Sequence, residues 1–277
     1  MITIYSVNVN KNRFGKACHI SLLDLGLISA IIMGMDSPPE PSDRQLRQAI
    51  YSLALPIVWS NLLQRGVGIA DAMMVGHLGA EELAAVGMAQ LVVFLASAMI
   101  MGIGIGAMIL VAHATGAKDH DKAVNASGTG VVMGLLASIV LAVLGYLECY
   151  NASLLMGADA RVAGLAEIYL QIIFYFFFAR GLIYILSSVF QGSGDSKTPL
   201  YVILWVNIIH IALAYPMIYG VWNESLGIYI APMGVAGAAW ANVITEVGGV
   251  FVLFYLAVRK GLIKLSACRL QIGRAHV

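Results

Sequence analysis

The chain has 277 residues, 60% of them hydrophobic and 11% charged, with a formal net charge of +1 and a mean hydropathy of +0.85. A soluble domain carries about 25% charged residues, so an ordinary water-soluble fold is excluded, and the balanced charge gives no hint of a nucleic-acid partner. The apolar runs are too long and too little alternating for barrel strands. Inside lipid that leaves helices, so the fold class is an all-α integral membrane protein.

Residues 1–34 contain KNRFGKACHISLLDLGLISAIIMG. Basic residues before a short apolar run suggest a signal peptide, but Asp24 interrupts the run and no small-residue cleavage pattern follows. The segment reads instead as a non-native or mis-started leader, with translation beginning at Met33 or Met35. Residues 35–48 form a polar approach. Six spans follow by apolar length, at about 49–75, 84–113, 123–147, 165–190, 199–221 and 234–258. Their connections, HLGAEE, GAKDHDKA, NASLLMGADA, QGSGDSKTP and VWNESLGIYIAPMG, carry turn chemistry. Arg44, Arg47, Lys118, Lys122, Lys197, Arg259, Lys260 and Lys264 fall on one side, against Arg161 alone on the other. The positive-inside rule then puts both ends of the chain in the cytoplasm.

Span one carries Gln64, Gly68 and Asp71 at i, i+4 and i+7, one polar or small face on an otherwise apolar helix. Asp71 reads either as a helix-end cap or as an intramembrane carboxylate facing a cavity. Such residues mark ion, proton or substrate paths. Arg65 lies on another face. In span two GIGIG, residues 102–106, sits within an apolar run, without the strand a nucleotide loop needs. Gly102 with Gly106, and Gly130 with Gly134 in span three, are GxxxG pairs suited to close helix packing. DHD, residues 119–121, is a solvated loop with no further metal ligands nearby. Cys18, Cys149 and Cys268 are scattered and support neither a disulfide framework nor a zinc site.

In span four Glu167 lies near an end, and Arg180 calls for a partner on another helix. Span five places Asn207, His210 and Ala214 on one face. His210 reads either as a packing residue or as a functional one, and Pro216 frees a backbone carbonyl. Span six places Asn242 and Glu246 at i, i+4 beside Trp240, again suggesting a cavity face or interhelical bonding. GSGDS lacks the G-x-S-x-G spacing of a serine-hydrolase elbow. No nucleophile, base and orienter come together, so nothing argues for an enzyme or for a cofactor.

Residues 259–270 begin a cytoplasmic linker. The final QIGRAHV is what one C followed by the common sequencing adaptor AGATCGGAAGAGCACACGTC encodes. Residues 271–277 therefore read as an adaptor artefact that cuts the gene after Leu270.

These residues resemble a family. LALPIVWSNLLQRGVGIADAMMVGHLGAEELAAVG is similar to the first span and loop of the multidrug and toxic compound extrusion transporters. GAKDHDKA resembles their loop after span two, QGSGDSKTP their G-x-GDTKTP loop, and GVAGAAWANVITE their sixth span. The resemblance covers residues 44–265 and implies the first of two six-helix bundles around a central cavity, the second bundle being missing. It implies an antiporter of the cytoplasmic membrane, working by alternating access and coupled to H+ or Na+. Its partners would be a small organic substrate, membrane lipid and the missing C-terminal bundle.

Asp71 falls on the family's first-span cation- or proton-binding aspartate, where a transported sodium ion would also lie. The family often has Asn and Asp where His210 and Ala214 align, and Thr where Asn242 aligns. Oxygen ligands suit hard cations, whereas histidine suits protons. The expected cation or proton group is therefore Asp71, His210, Asn242 and Glu246, with Gln64, Gly68, Asn207 and Trp240 lining the cavity. The alternatives are a lipid-linked precursor flippase, a half-size homodimeric transporter and a non-transporting membrane subunit.

Overall fold

A computed structural model describes residues 43–223 and 228–263. The expectations for the leader at 1–34, for residues 35–42, for the linker beyond 263 and for the adaptor-encoded tail at 271–277 lie outside the described residues. The chain divides into two units, Met1–Gln48 and Ala49–Val277, and the fold below is that of the second.

The helices are α1 (Asp43–Gly76), α2 (Ala80–Gly116), α3 (His120–Leu147), the short α4 (Cys149–Leu155), α5 (Ala160–Tyr175), α6 (Phe177–Gly192), α7 (Lys197–Tyr219) and α8 (Val235–Arg259). Among the described residues, α2, α3, α7 and α8 are each long and apolar enough to cross a membrane, and α5 with α6 makes a fifth unit bent by 54°. Helix α1 has the length, 34 residues, but Asn61, Gln64, Arg65 and Asp71 dilute its apolar character. The chain is a predominantly helical integral membrane protein. The connection from α7 to α8 adds a two-stranded antiparallel ribbon, β1 (Val221–Asn223) and β2 (Ile228–Ile230), where turn chemistry alone predicts a loop.

The expected fourth span at 165–190 is broken at Phe176, whose φ of −107° and ψ of 15° leave the helical region. Neither proline nor glycine stands there. The break falls within five consecutive aromatic residues, 174–178. Phe174 and Phe177 are both fully buried and pack with ring centroids 5.2 Å apart. Phe176 meets Trp240 of α8 edge-on at 5.8 Å. The bend accompanies a split among the rings, Phe174 and Phe177 turning into the core while Tyr175 and Phe178 stay exposed.

Lipid is as apolar as a leucine side chain, so helices here associate through close packing rather than hydrophobic transfer. Small residues make that possible. A Cβ on Gly130 of α3 would stand 2.7 Å from the Ala107 Cβ of α2, and one on Gly134 would enter Ile185 of α6. On Gly192 of α6 it would stand 2.6 Å from the Met108 carbonyl oxygen of α2.

The expectation for Gly102 and Gly106 is corrected: both are exposed, and a Cβ on either would meet nothing within 4 Å. The packed face of α2 instead runs through Ile100, Gly104, Ala107 and Val111. Each residue advances 100° around the helix, so a shift of two positions turns a glycine pair from the core to the opposite side. Several helix hydroxyls buried in this core close on their own backbone, as Ser97 Oγ donates to the Val93 carbonyl at 2.7 Å and Ser138 Oγ to the Gly134 carbonyl at 2.6 Å, which spares lipid an orphan polar group. Ser187 Oγ of α6 is buried without a partner among the described residues.

Candidate functional site

Helices α1, α2, α5, α6, α7 and α8 line a cavity of about 780 Å³. From α1 it is lined by Asn61, Gln64, Arg65, Gly68 and Asp71, among others. The expected stripe of Gln64, Gly68 and Asp71 does face it. Gly68 has nothing within 4 Å of where a Cβ would stand, so its missing side chain is cavity space.

Asp71 and His210 meet across this space. His210 Nε2 lies 2.8 Å from Asp71 Oδ1, with the two side chains only 3% and 4% exposed. A carboxylate this deep is tolerated because a partner faces it. Helix α7 offers His210 one turn beyond Asn207, and both line the cavity. Tyr219, at the end of α7, donates to the Met74 carbonyl at 2.5 Å. Those two bonds tie α7 to the end of α1.

A second charged cluster stands on the opposite helices. Arg180 Nη2 lies 2.6 Å from Glu246 Oε1 and 3.1 Å from Asn242 Oδ1, and its Nε lies 3.4 Å from Glu246 Oε2. Arg180 is on α6, four residues past the bend; Asn242 and Glu246 are one turn apart on α8. Thus Asn242 and Glu246, expected to group with Asp71, are engaged by Arg180, while among the described residues it is His210 that bonds Asp71. Tyr169 and Tyr184 line the same wall. The sequence marked Arg180 only as needing a partner, and gave no signal for the two tyrosines beyond their aromatic character.

Trp240 requires a correction. It does not line the cavity, and its ring packs on Phe176. Two residues on a helix are 200° apart, so Trp240 and Asn242 cannot share a face. Arg65 lines the cavity and holds its guanidinium 5.7 Å from the centre of the Phe94 ring.

Away from the cavity, a polar cluster joins the α6–α7 turn to the end of α8. Asp195 accepts from the Thr198 backbone N–H at 3.1 Å and its hydroxyl at 2.6 Å, capping α7. Lys260 Nζ reaches Asp195 at 2.5 Å and Thr198 Oγ1 at 2.8 Å. Burial pushes the Asp195 carboxyl up, but hydrogen bonds from Lys260 and Thr198 outweigh it and hold the group below the ordinary 3.8.

The family model described as MatE matches residues 56–216. The probable multidrug resistance protein YoeA of Bacillus subtilis (strain 168) is 34% identical over 209 residues, which are 74% of this chain and 44% of the relative. The probable multidrug resistance protein NorM of Thermotoga maritima is 25% identical over 232 residues, 81% of this chain and 49% of the relative. A solved structure described as the outward-facing conformation of a multidrug resistance MATE family transporter of the MOP superfamily is similar with a TM-score of 0.66 and 26% identity, over 79% of this chain and 47% of that one. A structure of MATE in the bent conformation gives a TM-score of 0.72 at 23% identity, over 82% and 49% of the two chains, and shows the fold alone. The chain spans about half the length of the curated relatives it matches.

Proposed function

Because this chain belongs to the MatE family, we propose that it is the first bundle of a cation-coupled antiporter that exports drugs or small organic metabolites by alternating access. The observation that carries the reading is the buried contact between Asp71 and His210 at the cavity wall. The YoeA and NorM names describe multidrug resistance proteins, which supports efflux. Both ends of this bundle are assigned to the cytoplasm of the cytoplasmic membrane, from the bias of Lys and Arg among the loops. The second bundle, which would close the cavity, is assigned to the rest of the polypeptide.

Protons are favoured over sodium as the coupling ion. A hard cation wants several oxygen ligands, whereas the group facing Asp71 Oδ1 is an imidazole nitrogen. A proton arriving here removes or redistributes charge between α1 and α7 and weakens or strengthens the bond that joins them. Turning a two-state population from 1:99 to 99:1 takes ~5.5 kcal/mol of differential binding. A membrane potential supplies ~2.3 kcal/mol per charge per 100 mV, so the remaining ~3.2 kcal/mol must come from proton affinity, a difference of about 2.4 pKa units between the two states.

The test is export from vesicles that hold the complete reading frame, with gradients imposed one at a time. Export should follow an imposed pH gradient and ignore a sodium gradient. Export that follows sodium and ignores pH would remove proton coupling.

A further inference from the structure

Helices α7 and α8 hold a second cavity, of about 390 Å³, apart from the one that carries Asp71. It is a groove on the outside of the bundle, lined along α7 by Tyr201, Trp205 and Ile209 and along α8 by Ile244, Gly248 and Val252. The large apolar side chains among these are all exposed. A Cβ on Gly248 would meet nothing within 4 Å, whereas one on Gly249 would stand 2.8 Å from Val206 Cγ2. Gly249 therefore lets the two helices touch, and Gly248 leaves the groove open beside that contact. Val202, Val206 and Thr245 line both spaces, so the groove backs onto a wall that it shares with the Asp71 cavity.

The groove has a length and a direction. Tyr201 to Ile209 is about 12 Å of helix, close to the ~15 Å that is half of a bilayer's hydrocarbon core. The two helices run antiparallel, since Lys260, just past the end of α8, bonds Thr198 in the first turn of α7. At that shared end both walls finish in a basic residue. Lys197 stands one turn before Tyr201 on α7, and Arg259 two turns past Val252 on α8, so each continues the stripe of its own wall. Both are exposed, and neither joins an ion pair among the described residues. Asp195, the carboxylate nearby in sequence, is already held by Lys260 and Thr198.

We propose that this groove seats one acyl chain of an anionic phospholipid, with the phosphate between Lys197 and Arg259. An apolar groove alone accepts any lipid, because a bilayer offers the same chains on every headgroup. The basic pair is what selects. Lys and Arg near the membrane surface attract anionic headgroups, and their long apolar stems carry the charge along the helix to headgroup level. On the orientation assigned above from loop charges, that headgroup belongs to the cytoplasmic leaflet. The seated chain braces, from the lipid side, the stretch of α7 that leads to His210, one turn beyond Val206. The groove and its basic end do not depend on the antiporter reading.

The test uses the complete polypeptide in phosphatidylcholine nanodiscs with a trace of photoreactive lipid. That lipid is either phosphatidylglycerol or phosphatidylcholine, each with the same diazirine-bearing acyl chain, and labelled peptides are quantified by mass spectrometry after illumination. Phosphatidylglycerol should label residues 201–209 and 244–252 about tenfold more than phosphatidylcholine, the scale of two basic residues partly screened by water. Lys197→Gln with Arg259→Gln should bring the two lipids level while phosphatidylcholine labels as in the wild type. Gly248→Leu, whose side chain would grow into the groove, should cut labelling of those residues by both lipids and leave labelling elsewhere unchanged. Equal wild-type labelling by the two lipids, a preference that survives the double variant, or labelling indifferent to Gly248→Leu would overturn the proposal and leave ordinary lipid-facing surface. Absence of labelling by either lipid would also overturn it, and would assign the groove to protein, either the second bundle or a second copy of the chain. No ion gradient is applied, so none of these outcomes bears on coupled export.

Discussion

Helices α1 and α2 follow one another and differ by only three residues in length, 34 against 37, yet they are held in opposite ways. Helix α2 is buried along a continuous stripe, from Ala85 and Val86 through Ala89, Val93, Ile100 and Ala107 to Val111. Small residues there let α3 and α6 approach closely. Helix α1 leaves Tyr51, Leu55, Trp59, Leu62, Ile69 and Met73 exposed and, among its described side chains, buries Pro56, Ser60, Asp71 and Val75. Its ties to α7 are the bonds of Asp71 with His210 and of Tyr219 with the Met74 carbonyl. Shape holds α2, and no proton changes a shape. Polar contacts hold α1, and one of them joins two titratable side chains. On the proposed antiporter mechanism, α1 is therefore the helix that would respond to a proton.

That contrast is open to attack from both sides. The largest effect should come from Asp71→Asn. Asparagine can still bond His210, so the bundle should stay folded while gradient-driven export falls to background in vesicles. Export at the wild-type rate would end the role given to this contact. Next is Arg180→Gln, which strands Glu246 in a partly buried site. Its cost in thermal unfolding should lie at the low end of ~3–5 kcal/mol, since the cavity admits some water, and adding Glu246→Gln should restore most of it.

On the packed side, Gly192→Ala should cost about 1–3 kcal/mol, because its methyl would press on the Met108 backbone. Gly102→Ala on the same pair of helices should cost nothing or gain about 0.5–1 kcal/mol from helix propensity. If the two glycines respond alike, close approach is not what holds α2.

A smaller effect is expected at the α6–α7 turn, outside the membrane. The Asp195 carboxyl is held below its ordinary 3.8, so its contribution is complete above that value and is lost as pH falls below it through the folded value. Hydrogen exchange at the start of α7 should quicken in acid over that window. Asp195→Asn should lack the acid step and cost about 0.5 kcal/mol or less at neutral pH, since asparagine still caps a helix.

Much of the site was legible in one helix at a time. Gln64, Gly68 and Asp71 share a face by spacing alone, and the structure puts that face on the cavity. His210 and Glu246 were conspicuous because ionisable groups are rare in apolar spans. Their pairing was not legible. Asp71 and His210 are separated by 139 positions, and Arg180 and Glu246 by 66, and periodicity says nothing at such range. Trp240 was misplaced because nearness in sequence was read as a shared face, and Gly102 with Gly106 because a GxxxG pair names a spacing and not a direction.

The sequence by itself determined that this is a helical membrane protein and which helix faces are polar, because lipid forces every backbone group into a helix and penalises every charge it touches. Its ordered motifs also carried the family. Only the tertiary structure decided which charge meets which, where the fourth span bends and which glycines are pressed against a neighbour. Those outcomes depend on the rotation of each helix against its neighbours, and that rotation is fixed by contacts between residues far apart in the chain.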